Sequence, residues 1–161
     1  MAITPLPKIV SRDQTAQVRK AYAGRVLVFT NGCFDVLHVG HVRYLQGARR
    51  LGDVLVVGLN GDASVRALKG PTRPVNSESV RAEVLAALAA VDHVITFAEL
   101  RAIPLLREVR PDVYVKGGDY TLDTLDREEV NTLRQLGTRI ELLPMVPGFS
   151  TTTLLQRMAT Q

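Results

Sequence analysis

Five short apolar runs rich in β-branched residues recur along this chain: "RVLVFT" at 25–30, "DVLVVGL" at 53–59, "HVITF" at 93–97, "DVYVKG" at 112–117 and "RIELLP" at 139–144. Segments with helical spacing lie between them. Near-continuous apolar strands bury both faces, and alternation with helices places those faces under helical layers. A parallel sheet with right-handed crossovers follows. The expected fold is α/β, a single Rossmann-like domain with a five-stranded parallel sheet and helices on both faces.

The helical stretches carry their own punctuation. Val42, Leu45, Ala48 and Leu51 share one face and stop at Gly52. Val80, Val84, Leu88 and Val91 form a second apolar face, with Asn76 and Ser77 as cap candidates before it. Pro104 fits the first turn of a helix starting near Ile103, since a proline there gives up no needed N–H. Another helix spans about 125–136 and ends at Gly137, and a last one starts near Ser150. Residues 1–24, with a helix over about 12–23, read as a lead-in on the edge of the domain proper, residues 25–161.

A chain of 161 residues supports one core. Its longest apolar runs, such as "VLVVGL" at 54–59, are far too short to cross a bilayer, so no membrane partner is expected. The start "MAITPLPKIVSRDQ" lacks the basic and apolar regions of a secretion signal, and the single cysteine, Cys33, makes neither an internal disulfide nor a multi-cysteine metal site. These features predict a cytoplasmic protein. The net charge of +4 is scattered and only four Phe and four Tyr are present, which excludes nucleic acid as a natural partner and suits a small anionic substrate.

The densest chemistry lies in "TNGCFDVLHVGHVRYL", residues 30–45, where the first of the five runs gives way to a helix. Ligands of open parallel sheets bind beyond the carboxyl ends of the strands, where successive connections go to opposite faces. A helix starting near Val39 or Gly40 offers free N–H groups and a positive dipole end. His38 and His41, three residues apart, reach one side of its first turn, so two imidazoles face one anion. Gly32 and Gly40 leave room for a ligand against the backbone. Donors placed where negative charge develops lower the barrier to phosphoryl transfer without a covalent intermediate. No G-x-G-x-x-G follows the strand, which disfavours a dinucleotide oxidoreductase.

The stretch "GCFDVLHVGH" resembles the signature of the HxGH nucleotidyltransferases, the cytidylyltransferase-like superfamily. "LKGPTRPVN" at 68–76, Arg81, "VKGGDY" at 115–120, "GFSTTTLL" at 148–155 and the lead-in "KIVSRDQ" are most similar to the branch that adenylylates D-glycero-β-D-manno-heptose 1-phosphate, a domain often fused behind a sugar kinase. The resemblance covers about residues 8–158. It implies an adenylyltransferase that joins AMP from ATP to a sugar 1-phosphate and releases pyrophosphate, with Mg²⁺ carried mainly on the ATP phosphates. His38, His41 and Lys69 are then the catalytic candidates. Nucleotide contacts fall to Asn31, Gly32, Cys33, Phe34, Gly40, Lys116, Gly117, Gly118, Asp119, Ser150, Thr151 and Thr152. Arg81 is a phosphate or a structural contact.

Lys69, in a Gly/Pro-rich loop, clamps either the triphosphate or the acceptor phosphate, with Arg73 beside it. Asp35 binds the acceptor or caps the following turn, and Asn60 and Asp62 are candidates for sugar hydroxyls. Cys33 contributes its backbone and no nucleophile. Ser150 to Thr152 cap a helix and hold the outer phosphates with the same groups. Two departures from the cytidylyltransferases stand out. Gly118 replaces a common acidic residue, which leans toward adenine, and "MVPGFS" lacks the arginine that usually precedes the serine. Rival readings are CTP with glycerol 3-phosphate, ATP with flavin mononucleotide, and a nucleotide-binding module without turnover. Family members commonly pair as homodimers.

Overall fold

The computed structural model, which describes residues 6–118 and 120–160, gathers the apolar runs into one sheet. Its strands are β1 (Ile9–Val10), β2 (Leu27–Gly32), β3 (Val54–Asn60), β4 (His93–Phe97), β5 (Val113–Gly117) and β6 (Arg139–Leu143), in the order β1-β4-β3-β2-β5-β6. Every pairing is parallel. The sheet therefore has six strands, where the sequence predicts five. The extra strand comes from the lead-in and is two residues long, too short for any periodicity. Its pairing fixes it instead: Ile9 lies opposite Val94 and Val10 opposite Ile95. His93, buried beneath this edge, has its Nε2 2.8 Å from the Tyr22 hydroxyl and its Nδ1 2.9 Å from the Pro7 carbonyl.

The helices are α1 (Thr15–Ala21) after a 3₁₀ turn at Arg12–Gln14, α2 (Val39–Arg49), α3 (Asp62–Lys69), α4 (Glu78–Ala86), α5 (Ile103–Val109), α6 (Arg127–Gln135) and α7 (Thr151–Ala159). Alternate strand residues feed two apolar layers. Leu27, Phe29, Val56, Ile95 and Tyr114 pack with Val18 of α1, Leu105, Leu106 and Val109 of α5, and Leu133 of α6. Val28, Leu55, Val57, Val94 and Val115 pack with Leu45 and Ala48 of α2 and Ala82 and Leu85 of α4. Both faces are thus covered, and the chain changes face between β2 and β5, so their carboxyl ends frame the crevice.

Two helical expectations need correction. The apolar face predicted for α4 is turned outward: Val80 and Val84 are each 46% exposed, while Arg81, Ala82 and Leu85 are buried. Arg81 is drawn inside because four backbone and side-chain acceptors meet its guanidinium, an attraction that hydrophobic spacing cannot register. Lys69, expected in a loop, is the last residue of α3, and Gly70 ends that helix at φ 104°.

Candidate active site

A cavity of about 780 Å³ opens beyond the carboxyl ends of β2, β3 and β5. Its lining includes Asn31, Gly32, Cys33, Phe34, Asp35, His38, Gly40, His41, Asn60, Lys69, Arg73, Lys116, Gly117, Ser150, Thr151 and Thr152. The residues singled out in the sequence therefore converge from four separate segments. Gly118 does not line it, although its φ of 124° shapes the turn that leaves β5. Asp119 lies outside the described residues.

His38 is the N-cap of α2, in extended conformation, and its Nδ1 accepts from the Gly40 amide at 3.1 Å. The His41 Nδ1 in turn accepts from the His38 amide at 3.4 Å, closing a reciprocal capping box. The two rings sit 3.9 Å apart, centroid to centroid. With each Nδ1 engaged as an acceptor, the proton of a neutral ring resides on Nε2, which is left to donate to a ligand. Burial holds both histidines below their ordinary range, and it takes His41, with the neighbouring His38 adding to the effect, to about 4. At neutral pH the pair is uncharged and donates two N–H groups.

Two of the first amides of α2 are engaged by this arrangement: Gly40 donates to the His38 ring and His41 to the His38 carbonyl at 3.0 Å. The imidazoles thus stand beside a helix start that keeps fewer open amides than expected. Open donors lie nearby at α7, where Ser150 Oγ accepts from the Thr153 amide at 3.0 Å and no hydrogen bond engages the amides of Thr151 and Thr152 among the described residues. Thr151 Oγ1 donates to the Val36 carbonyl at 3.1 Å, which ties α7 to the loop carrying the histidines. Phe149 lies nearly parallel to the His38 ring at 6.3 Å.

Local backbone choices follow from these contacts. A Cβ on Gly40 would press the His38 ring at 2.9 Å, and one on Gly117 would run into the Tyr44 ring at 2.5 Å. Gly32 accommodates the Phe34 ring, which a Cβ would meet at 3.1 Å. Phe34 itself takes φ 44°, a costly conformation for a non-glycine residue, and packs its buried ring 5.5 Å from His41.

Asp35 is buried, and its carboxylate accepts from Arg73 Nε and from the amides of Val75 and Asn76. Burial alone would raise its pKa, but the donated hydrogen bonds and the Arg73 charge outweigh that and hold it low. Asp35 thus anchors the 70–76 loop over the cavity, and Arg73 reaches it through Nε while lining the same cavity.

Arg81 lines no part of the cavity. Its guanidinium donates to the carbonyls of Asn76, Cys33 and Asn60 and pairs with Asp62 at 2.8 Å. Of its two readings the structural one fits this geometry. Asp62 is drawn away with it and lines a separate cavity of about 410 Å³. Burial pushes the Cys33 thiol up, against the pull of Lys69 and Arg81, so it is no ready nucleophile.

Several lining residues have no role that the motifs assign, although Tyr44, Tyr120 and Phe149 stand within the quoted stretches. Tyr44 donates to the Val115 carbonyl at 3.1 Å and meets Thr30 Oγ1 at 2.7 Å, bridging β2 and β5. Tyr120, Met145 and Phe149 supply apolar walls, and Arg101, Asp126 and Glu129 supply charge.

The cytidylyltransferase-like family model matches residues 29–157, which span the histidine pair and the start of α7. The chain belongs to the cytidylyltransferase-like family. It is 54% identical over 135 residues to the bifunctional protein HldE of Syntrophotalea carbinolica, covering 84% of this chain and 27% of that protein. It is 51% identical over 155 residues to the HldE of Geotalea uraniireducens, covering 95% of this chain and 31% of that one. The chain spans under a third of the length of these relatives. Among solved structures, the lipopolysaccharide core biosynthesis protein of Thermoplasma volcanium superposes with a TM-score of 0.64 at 30% identity, covering 76% of this chain and 98% of that one. Pantoate-β-alanine ligase of Francisella tularensis, at 15% identity and a TM-score of 0.52, shares the fold.

Two of the carboxylates in the cavity are already committed. Asp35 holds the 70–76 loop, and Asp126 caps α6 through the Glu129 amide and pairs with Arg101. Among the described residues no three His, Cys, Asp or Glu side chains cluster as metal ligands. No helix among them is long and apolar enough to cross a membrane.

Proposed function

We propose that this chain transfers AMP from ATP to D-glycero-β-D-manno-heptose 1-phosphate, giving ADP-heptose and pyrophosphate. The observation that carries the reading is the pair of Nε2 donors of His38 and His41 lining one cavity with the open amides of Thr151 and Thr152. The resemblance to HldE proteins over most of the chain supports the sugar phosphate as acceptor, and the name of the Thermoplasma relative points the same way.

In this reaction an oxygen of the sugar phosphate attacks the α-phosphorus of ATP in line, and the bond to the bridging oxygen of pyrophosphate breaks. The acceptor phosphate is already ionised, so no strong base is needed. His38 and His41 donate from Nε2 to the α-phosphoryl oxygens, where charge and crowding increase toward the transition state. Fixed neutral donors stabilise that charge without reorganising. The helix start at Ser150, Thr151 and Thr152 holds the outer phosphates, and Lys69 faces them from the end of α3. Gly32 to Phe34, Lys116 and Gly117 border the nucleoside. Mg²⁺ carried on the ATP phosphates, beside the helix start at Ser150 to Thr152, would supply charge neutralisation there. The reading carries with it a homodimer and a cytoplasmic setting.

Purified protein with MgATP and heptose 1-phosphate is expected to release pyrophosphate and to form a product of ADP-heptose mass. A nucleotide panel with glycerol 3-phosphate and flavin mononucleotide as competing acceptors tests the assignment. Faster turnover of CTP with glycerol 3-phosphate would overturn it.

A further inference from the structure

The cavity has two differently made ends. One, behind β6 and α7, presents Tyr44, Met145 and Phe149 beside the histidines and the phosphate-binding helix start. The other, at the start of α6 and the segment after β4, presents Arg101, Asp126 and Glu129, with Asn31 and Asn60 on its floor. The flat aromatic face of a purine suits the first end. A polyhydroxylated acceptor suits the second, because hydroxyl groups need fixed hydrogen-bond partners when they leave water.

Glu129 is the distinctive group there. It is only 7% exposed, on the first turn of α6. Its Oε1 accepts from the Tyr114 hydroxyl. That hydroxyl lies 2.9 Å from the Asn31 side-chain amide and accepts from Lys116 Nζ at 3.4 Å. Burial, reinforced by the Glu129 charge, raises the Tyr114 phenol well above its ordinary range, so it stays protonated as the donor. The second oxygen, Oε2, takes no hydrogen bond among the described residues, and Glu129 lines the cavity. Asp126 has no such spare oxygen, since Oδ1 caps α6 and Oδ2 pairs with Arg101 at 3.1 Å. A buried carboxylate with one oxygen tethered and the other facing an open cavity is preorganised to accept from a ligand hydroxyl.

We infer that Glu129, held by Tyr114, is a specificity-determining residue that accepts hydrogen bonds from hydroxyl groups of the acceptor sugar. The inference rests on the nucleotidyl transfer reading above and adds to it where the sugar lies and what selects it.

The test uses the full chain and its Glu129→Gln and Tyr114→Phe variants. Heptose 1-phosphate binding is titrated in the presence of a nonhydrolysable ATP analogue, and pyrophosphate release and melting temperature are followed in parallel. Glu129→Gln is expected to weaken the sugar phosphate by about 10- to 100-fold, in both binding and KM, the usual loss for one charged hydrogen bond. KM for ATP should stay within about twofold of the unchanged protein, on the scale of a contact not made. Tyr114→Phe should give a smaller loss of the same kind. A loss confined to ATP would assign the carboxylate to the ribose and overturn the inference, and so would unchanged sugar affinity in a folded Glu129→Gln protein. Sugar binding that needs Glu129 but yields no pyrophosphate would keep the subsite and overturn the reaction. No sugar binding by the unchanged protein would overturn both.

Discussion

His38 and His41 do two jobs with two nitrogens. Nδ1 of each closes the start of α2, and Nε2 of each remains for the ligand. Because His41 titrates near 4 in the fold and near 6.5 when unfolded, the unfolded chain binds the extra proton first as the medium is acidified. Stability contributed by the neutral ring is therefore complete above pH 6.5, declines as pH falls from 6.5 toward 4, and changes no further below that. Thermal melting across this window should show the decline, and His41→Gln should flatten it. Arg81 gives a second prediction at this scale. Truncating a buried cation that satisfies three carbonyls and Asp62 leaves those acceptors unpaired, so Arg81→Ala should cost about 3–5 kcal/mol in urea unfolding. A surface arginine would cost almost nothing.

At the level of elements, the strands from β2 to β6 and the helices α2, α5, α6 and α7 lie within a few residues of where periodicity and punctuation predict them. Pro104 does stand in the first turn of α5, and Gly137 does follow α6, at φ 71°. What periodicity could not deliver were elements defined by partners. β1 exists because β4 has an open edge. α4 turns its valines outward because Arg81 is held inward. The consequence is testable: Val84→Lys should change stability by no more than about 0.5 kcal/mol, as for an ordinary surface site. Leu85→Ala, one residue on and fully buried, should cost about 2–5 kcal/mol in the same denaturation experiment.

Over the whole molecule, the crossover between β2 and β5 is what makes a site of scattered residues. Parallel strands send all their carboxyl ends one way, and the change of face opens a crevice bordered by residues near 31–41, 60–73, 116 and 150. The motif-bearing parts of that crevice were legible as residue types at known spacings. Tyr44, Arg101 and Glu129 were not, because each acts through a neighbour that only the folded chain supplies. The same holds for the pairing of Arg73 Nε with Asp35 and of Asp62 Oδ1 with Arg81, contacts that only the folded chain brings together.

The central claim, that the His38 and His41 rings donate to the reacting phosphate while also capping α2, is tested most directly by His38→Asn. Asparagine is a good N-cap, so the melting temperature should stay within a few degrees, on the scale of well under 1 kcal/mol. Removing one donor to the transition state should lower kcat for pyrophosphate release by about 100- to 1,000-fold. A stable His38→Asn protein with undiminished kcat would contradict the account.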